Sequence, residues 1–250
     1  MRRTRTLHQD AVERIATGIV GGRYRPGAPL PTESELGEAL GVSRTVIREA
    51  MRTLAAKGMV RVRRRHGTTI EPLDTWSLFD PQVMDWRLEA GLTREFAEDL
   101  VRFRLGLEPF AAALCAENPD FPDATLEDAF ARMSAAVEGE GDYHAADLDF
   151  HRTILDGTRN QFMRQLAPML DNALRVSIRL SVIDMGTARG SLPLHRAVAD
   201  AIVARDPKGA ARALTSLIEA AREDIRVALE RRERRRRSDA QGDRLAVPTT

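Results

Sequence analysis

The sequence predicts a mainly α chain in two parts. A winged helix-turn-helix is expected over residues 1–72 and an all-α helical bundle over 80–236, with a linker at 73–79 and a disordered tail at 237–250. Three observations carry that reading. Two short, capped helical patterns lie back to back between Leu30 and Gly58, a basic alternating hairpin pattern follows at once, and from Asp80 onward there are only helical periods separated by breakers.

In chain order, residues 7–21 place Val12, Ile15, Ala16, Ile19 and Val20 on one helical face, Gly21-Gly22 ends it, and Pro26-Gly27 turns the chain. Thr32 and Glu35 form a capping box, and Leu36, Ala39 and Leu40 share the inner face of a helix that Gly41 ends. Ser43 caps the next helix, which buries Val46, Ile47, Ala50, Met51 and Leu54 and stops at Gly58, where a left-handed residue is needed. Its other side carries Arg44, Arg48 and Arg52, four apart. Such arginines are often only a solvated face, with Glu49 to neutralise them. The next segment decides against that: Val60 and Val62 alternate with arginines and then turn through His66-Gly67, the pattern of a wing. A helix-turn-helix with a basic wing presents Arg and Thr at its second helix start to base edges and phosphates, so this part is expected to bind double-stranded DNA.

Pro72 closes the strand, and the linker, which contains Trp76, is short enough to imply a fixed geometry between the parts. In the body, helices are expected near 81–90, 94–117, 123–138, 142–156, 160–183, 192–205 and 207–236. Pro81, Pro193 and Pro207 stand where a first-turn proline belongs, Gly91, Gly139, Gly157 and Gly190 mark stops, and Pro168 predicts a kink. The run RRERRRR at 231–237 reads as a solvated, fraying helix end, with a supplementary phosphate contact as the alternative.

The net charge of +1 conceals a division: residues 1–72 hold 14 Lys and Arg against 7 Asp and Glu, residues 73–225 hold 16 against 26, and residues 226–250 hold 8 against 4. A basic head on an acidic body suits a protein whose N-terminal part alone meets a polyanion. Cys115 is the single cysteine, which excludes an intrachain disulfide, and its setting in FAAALCA reads as a small buried hydrophobe. No run approaches the roughly 18 apolar residues of a membrane span, and the arginines of MRRTRTLHQD precede no apolar stretch, so a soluble, cytoplasmic chain without a membrane partner is expected.

Within the helix expected at 142–156, Asp147 and His151 stand one turn apart on one face, a spacing that lets both hold one metal ion. His195 opens another helix, and facing helices of a bundle can meet around an internal site. Spacing alone favours the plainer alternative, an ordinary helix pair and an unrelated His195.

The run PGAPLPTESELGEALGVSRTVIREAMRTLAAKGMVRVRRRHGTTI resembles the N-terminal domain of GntR-superfamily transcription factors. The resemblance implies DNA contacts from the start of the recognition helix and the wing tip, at Ser43, Arg44, Thr45, Arg48, His66 and Gly67; a frequent family arginine is replaced here by Ser34. Further on, LGLEPFAAALCAE, ADLDFHRTIL with Asn160, and LHRAVADAIVARDPKGAARAL resemble the helical effector-binding FCD domain of the FadR-type branch. Many members hold a divalent metal, here zinc, nickel or manganese, with an Asp and three His. Asp147, His151 and His195 match the first three positions and Leu217 occupies the fourth, which implies three ligands with open positions, weak binding, or His144 as a substitute. Arg104 matches a family arginine of this pocket, and Asn172 and Arg175 are further candidates to hold an effector carboxylate. WSLFDPQVMDWRLEAG resembles regulators of sugar-acid catabolism, notably of galactonate operons.

The reading that follows is a homodimeric repressor of aldonate-type catabolic genes, without catalytic residues, that leaves its operator DNA when a small carboxylate binds. The competing readings are a regulator of the same fold sensing another carboxylate or an acyl thioester, and a metal-dependent hydrolase, for which the winged helix would have no use.

Overall fold

The computed structural model describes residues 6–63, 67–182 and 184–245, with the side chains of 233 and 235–245 outside that description. The chain is mainly α with one small antiparallel sheet, and the described residues divide into two compact units, one ending at Leu92 and the next starting at Thr93.

The first unit holds α1 (Leu7–Val20), α2 (Glu33–Leu40), α3 (Arg44–Ala56), β1 (Val60–Arg63), β2 (Gly67–Ile70) and α4 (Pro81–Ala90). Local chemistry sets the helix starts. Thr32 accepts from the Glu35 amide while the Glu35 carboxylate accepts from the Thr32 amide at 2.8 Å, and Ser43 caps α3 by accepting from the Val46 amide. Between these helices Gly41 takes φ 71°, the left-handed conformation that lets the chain reverse without a side-chain clash. α1 lays Ala11, Val12, Ile15, Ala16 and Ile19 against Leu36 and against Ile47, Ala50, Met51 and Leu54 of α3. Each large side chain fully buried there contributes about 1.5–3 kcal/mol. The wing pairs Val60 with Ile70, Arg61 with Thr69 and Val62 with Thr68, which buries Val60 and Ile70 and turns Arg61 and Val62 outward.

Where the sequence reading closes this domain at residue 72, the core runs on. Trp76, Val83 and Trp86 join it, Trp76 Nε1 donates to the Glu71 carbonyl, and Lys57 pairs with Asp80 at 2.5 Å. Gly58, at φ 72°, lies so close to this segment that a Cβ would run into the Thr75 carbonyl.

The second unit comprises α5 (Arg94–Glu117), α6 (Asp123–Val137), α7 (Tyr143–Asp156), α8 (Gln161–Ser181), α9 (Met185–Val203) and α10 (Pro207–Leu245). α5 is its central helix and touches α7, α8, α9 and α10. Its small residues Ala111, Ala112, Cys115 and Ala116 are buried, and the Cys115 thiol donates to the Ile154 carbonyl of α7. Burial pushes that thiol up to about 12, as befits a small hydrophobe.

Two helix limits depart from expectation. α9 begins at Met185, not near 192, because Asp184 caps it by accepting from the Thr187 amide at 2.9 Å; Gly190 and Pro193, read as a stop and a first-turn proline, lie inside the helix. α10 continues past 236 to Leu245, through most of the stretch expected as a disordered tail. Pro168 sits within an unbroken α8, as Pro109 does in α5.

Candidate functional site

In the first unit the outer face of α3 carries the residues expected to meet DNA. Arg44, Thr45 and Arg48 are exposed, and Ser43 is exposed at the cap. Arg44 donates to Ser34 Oγ at 2.9 Å and Arg48 to Glu33 at 3.1 Å. Ser34, the departure from the family pattern, thus links α2 to the start of α3. An exposed pair such as Arg48–Glu33 is screened by solvent and holds the guanidinium only weakly. Gly67 opens β2 with φ 80°, and His66, expected at the wing tip, lies outside the described residues. Sequence reasoning passed over Gly37. Its missing side chain lets α2 sit against the turn, where a Cβ would meet the Val42 carbonyl at 2.9 Å; a glycine inside a helical pattern was the available signal.

In the second unit, α7 places Asp147 and His151 one turn apart and α9 brings His195 to them. All three are buried, at 2–4% exposure, and one ligand atom from each lies within 4.8 Å of the others. Asp147 Oδ1 stands 3.4 Å from His151 Nε2 and 3.3 Å from His195 Nε2. The opposite ring nitrogens are held: His151 Nδ1 lies 2.7 Å from Glu108 Oε2, and His195 Nδ1 lies 3.0 Å from the Ser191 carbonyl. Carboxylates and carbonyls only accept, so both Nδ1 atoms carry hydrogen and both Nε2 lone pairs face one anionic oxygen. That arrangement repels itself unless a cation, proton or metal, lies among the three atoms. Two ligand atoms each about 2.1 Å from one tetrahedral ion stand about 3.4 Å apart, close to both separations seen here. Imidazoles fixed through Nδ1 by a carboxylate and a carbonyl are also how metal-binding histidines are commonly oriented. The donor set therefore fits a divalent ion.

The three groups and Glu108 also form one network of interacting charges. Burial would raise the Asp147 carboxyl, but His195 and His151 outweigh it and hold the group well below the ordinary carboxylate range. Burial acts likewise on Glu108, where Arg104 and His151 prevail and hold it at about 2. Burial pushes His151 down, and Glu108 and Asp147 reverse this, so its pKa is raised.

The three residues open on a cavity of about 350 Å³, whose wall also includes Arg104, Ser181, Thr187, Leu217 and Asp224. Arg104 is buried, with Nε 2.6 Å from Glu108 Oε1 and one terminal nitrogen 2.7 Å from Ser177 Oγ. Leu217, expected at the position of a fourth ligand, puts an apolar residue on this wall. His144 is half-buried, 4.0 Å from Asp142, and does not line this cavity. Arg175 donates to Asn172 at 3.3 Å, and neither lines the cavity. Glu108 and Ser191 escaped the sequence reading. An Arg and a Glu four apart in an apolar run was a signal for Glu108, but nothing in the sequence marks a backbone carbonyl such as that of Ser191.

Comparison with known proteins matches these two regions separately. Residues 7–70 match the profile of bacterial regulatory proteins of the gntR family, and residues 99–220 match the FCD domain. The chain is 32% identical over 217 residues to YieP, an uncharacterized HTH-type transcriptional regulator of Escherichia coli K12, covering 86% of this chain and 93% of that protein. It is 32% identical over 202 residues to the galactonate operon transcriptional repressor of the same organism, covering 80% and 88%. Among solved structures, Lar, which controls expression of the Listeria monocytogenes agr system, has the same fold, with a TM-score of 0.66 at 15% identity over 90% of this chain and 98% of that one. With its winged helix and its helical domain each matched, and with relatives aligned over nearly their full length, the chain belongs to the gntR family of bacterial transcriptional regulators, as a member with an FCD domain.

Proposed function

We propose that this regulator represses genes for the catabolism of a sugar acid, and that it leaves its operator when a small carboxylate binds at a metal held in the FCD domain. The observation that carries this reading is the convergence of Asp147, His151 and His195 on a buried cavity, with both imidazoles oriented from behind. A divalent ion with three protein ligands, whether zinc, nickel or manganese, offers further positions to hard oxygen donors, and a carboxylate with a neighbouring hydroxyl supplies two. Arg104 on the cavity wall is the candidate partner for the carboxylate, shared with Glu108; Asn172 and Arg175 stand outside that wall. The likeness to the galactonate operon repressor supports the sugar-acid class.

On the DNA side, Ser43, Arg44, Thr45 and Arg48 with the wing residues His66 and Gly67 are the proposed contacts. A homodimer is the form suited to a two-fold operator, because half-site spacing then mirrors the spacing of the two recognition helices. Aldonates and hexuronates titrated calorimetrically into metal-loaded protein, free and saturated with operator, test the coupling. Free protein is expected to bind the best acid about 5- to 150-fold more tightly than operator-bound protein, since linkage makes the effect reciprocal. Equal affinities in the two titrations would refute release by effector.

A further inference from the structure

In the acidic helical unit most arginines have found carboxylates. Arg132 pairs with Asp128 and Asp149, Arg152 with Asp171, Arg196 with Glu127, Arg205 with Asp123 and Arg222 with Glu98. Among the described arginines that stand apart from that pattern, Arg164 and Arg212 line no cavity with the others, but four come together. Arg179 near the end of α8 and Arg231, Arg232 and Arg234 on α10 line a single cleft of about 630 Å³, floored by Leu180, Val182 and Ala228. All four are exposed, and none makes a hydrogen bond or ion pair with another described residue. Asp184 feels Arg231, which helps to lower its pKa, but that carboxylate is engaged at the start of α9 by the Thr187 amide and hydroxyl.

Four cationic groups gathered around one cleft repel one another, and among the described residues no carboxylate forms an ion pair with them, although acidic residues outnumber basic ones between 73 and 225. An anion from solution would relieve that repulsion. Guanidinium forks match pairs of phosphate oxygens, and several forks suit several phosphate oxygens better than a single carboxylate. The apolar floor suits a ligand with an uncharged body as well as its anionic head. We infer that this cleft is a binding site for a phosphorylated small molecule, separate from the metal-containing cavity and independent of how that cavity is read. Val182 lines both spaces, so an occupant of the cleft bears on a wall of the effector cavity.

Pyrophosphate is the probe. It is titrated calorimetrically into the full chain at constant ionic strength, with sodium chloride matched for charge as the control. The parent is expected to show one saturable site per chain with Kd below about 1 mM. The Arg179→Ser/Arg231→Ser variant, whose altered side chains are exposed and unpaired, should keep the parent's melting temperature without anion and bind at least about tenfold more weakly. Arg179→Lys keeps the charge but not the fork, and it too is expected to weaken binding, which tests the site without removing charge. An absence of saturable binding by the parent, or equal affinities in parent and double variant, overturns the proposal. A short duplex without operator sequence is the final arm: if the double variant loses duplex affinity while the parent ignores pyrophosphate, these arginines serve a nucleic-acid backbone and the small-anion site is wrong.

Discussion

Replacing Glu108 by Gln removes one negative charge from the buried group behind His151 while keeping nearly the same shape. In the parent, Glu108 is 1% exposed and accepts from Arg104 at 2.6 and 3.2 Å and from His151 at 2.7 Å. The neutral amide leaves the Arg104 guanidinium buried without a counter-charge, and breaking a buried pair in this way costs about 3–5 kcal/mol. A second route gives a similar size: holding the carboxyl at about 2 instead of 4.5 corresponds to about 3 kcal/mol of native-state stabilisation. Because this pKa is depressed, the contribution is present above pH 4.5 and is lost as pH falls toward 2. Urea unfolding in chelator, followed by circular dichroism, should therefore show a gap between parent and Glu108→Gln that narrows as pH falls below about 4.5, and that also shrinks as pH rises above about 6.5, where the raised His151 gives up the proton that Glu108 helps to hold. In thermal melts the gap corresponds to about 6–20 °C for a domain of this size. The Arg104→Met/Glu108→Gln variant strands no cation and leaves an amide oxygen to accept from His151, so most of the stability should return. A loss below about 1 kcal/mol in the single variant, or no recovery in the double one, would refute the account of this pair.

Arg44→Ala is expected to fold normally and to weaken specific operator binding by about 1–3 kcal/mol, measured at matched salt. Elemental analysis after exposure to zinc, nickel or manganese should find about one ion per chain in the parent and none in His151→Ala/His195→Ala; equal uptake would place the metal elsewhere. Gly58→Ala forces a side chain into a left-handed residue facing the Thr75 carbonyl, and should destabilise the first unit by at least about 1–2 kcal/mol in denaturant titrations.

What could be read from the sequence was what neighbours in the chain decide. The Thr32–Glu35 box, the Ser43 cap, Gly41 and the wing alternation are each settled within a few residues, and the first unit carries them as read. The i, i+4 placement of Asp147 and His151 is equally local, while the arrival of His195 beside them needed the family resemblance and the packing of α9. The start of α9 was misjudged because Gly190 and Pro193 outweighed a lone Asp184 in a local reading, although one good cap suffices once the helix has a face to bury. Trp76 and Trp86 looked like linker and bundle residues, yet both join the core that the residues of α1 and α3 build.

The Cys115 thiol has a further use as a clock. Fully enclosed by α5 and α7 and held protonated by its surroundings, it offers almost no thiolate to an alkylating reagent while the bundle is closed. Being the only sulfhydryl of the chain, it becomes reactive only when these two helices part, so at high reagent concentration the labelling rate is the opening rate of the FCD domain itself. Any metal or small molecule that binds only the closed domain should lengthen that time, and the unmodified protein thus carries a built-in readout of how firmly its helical unit is shut.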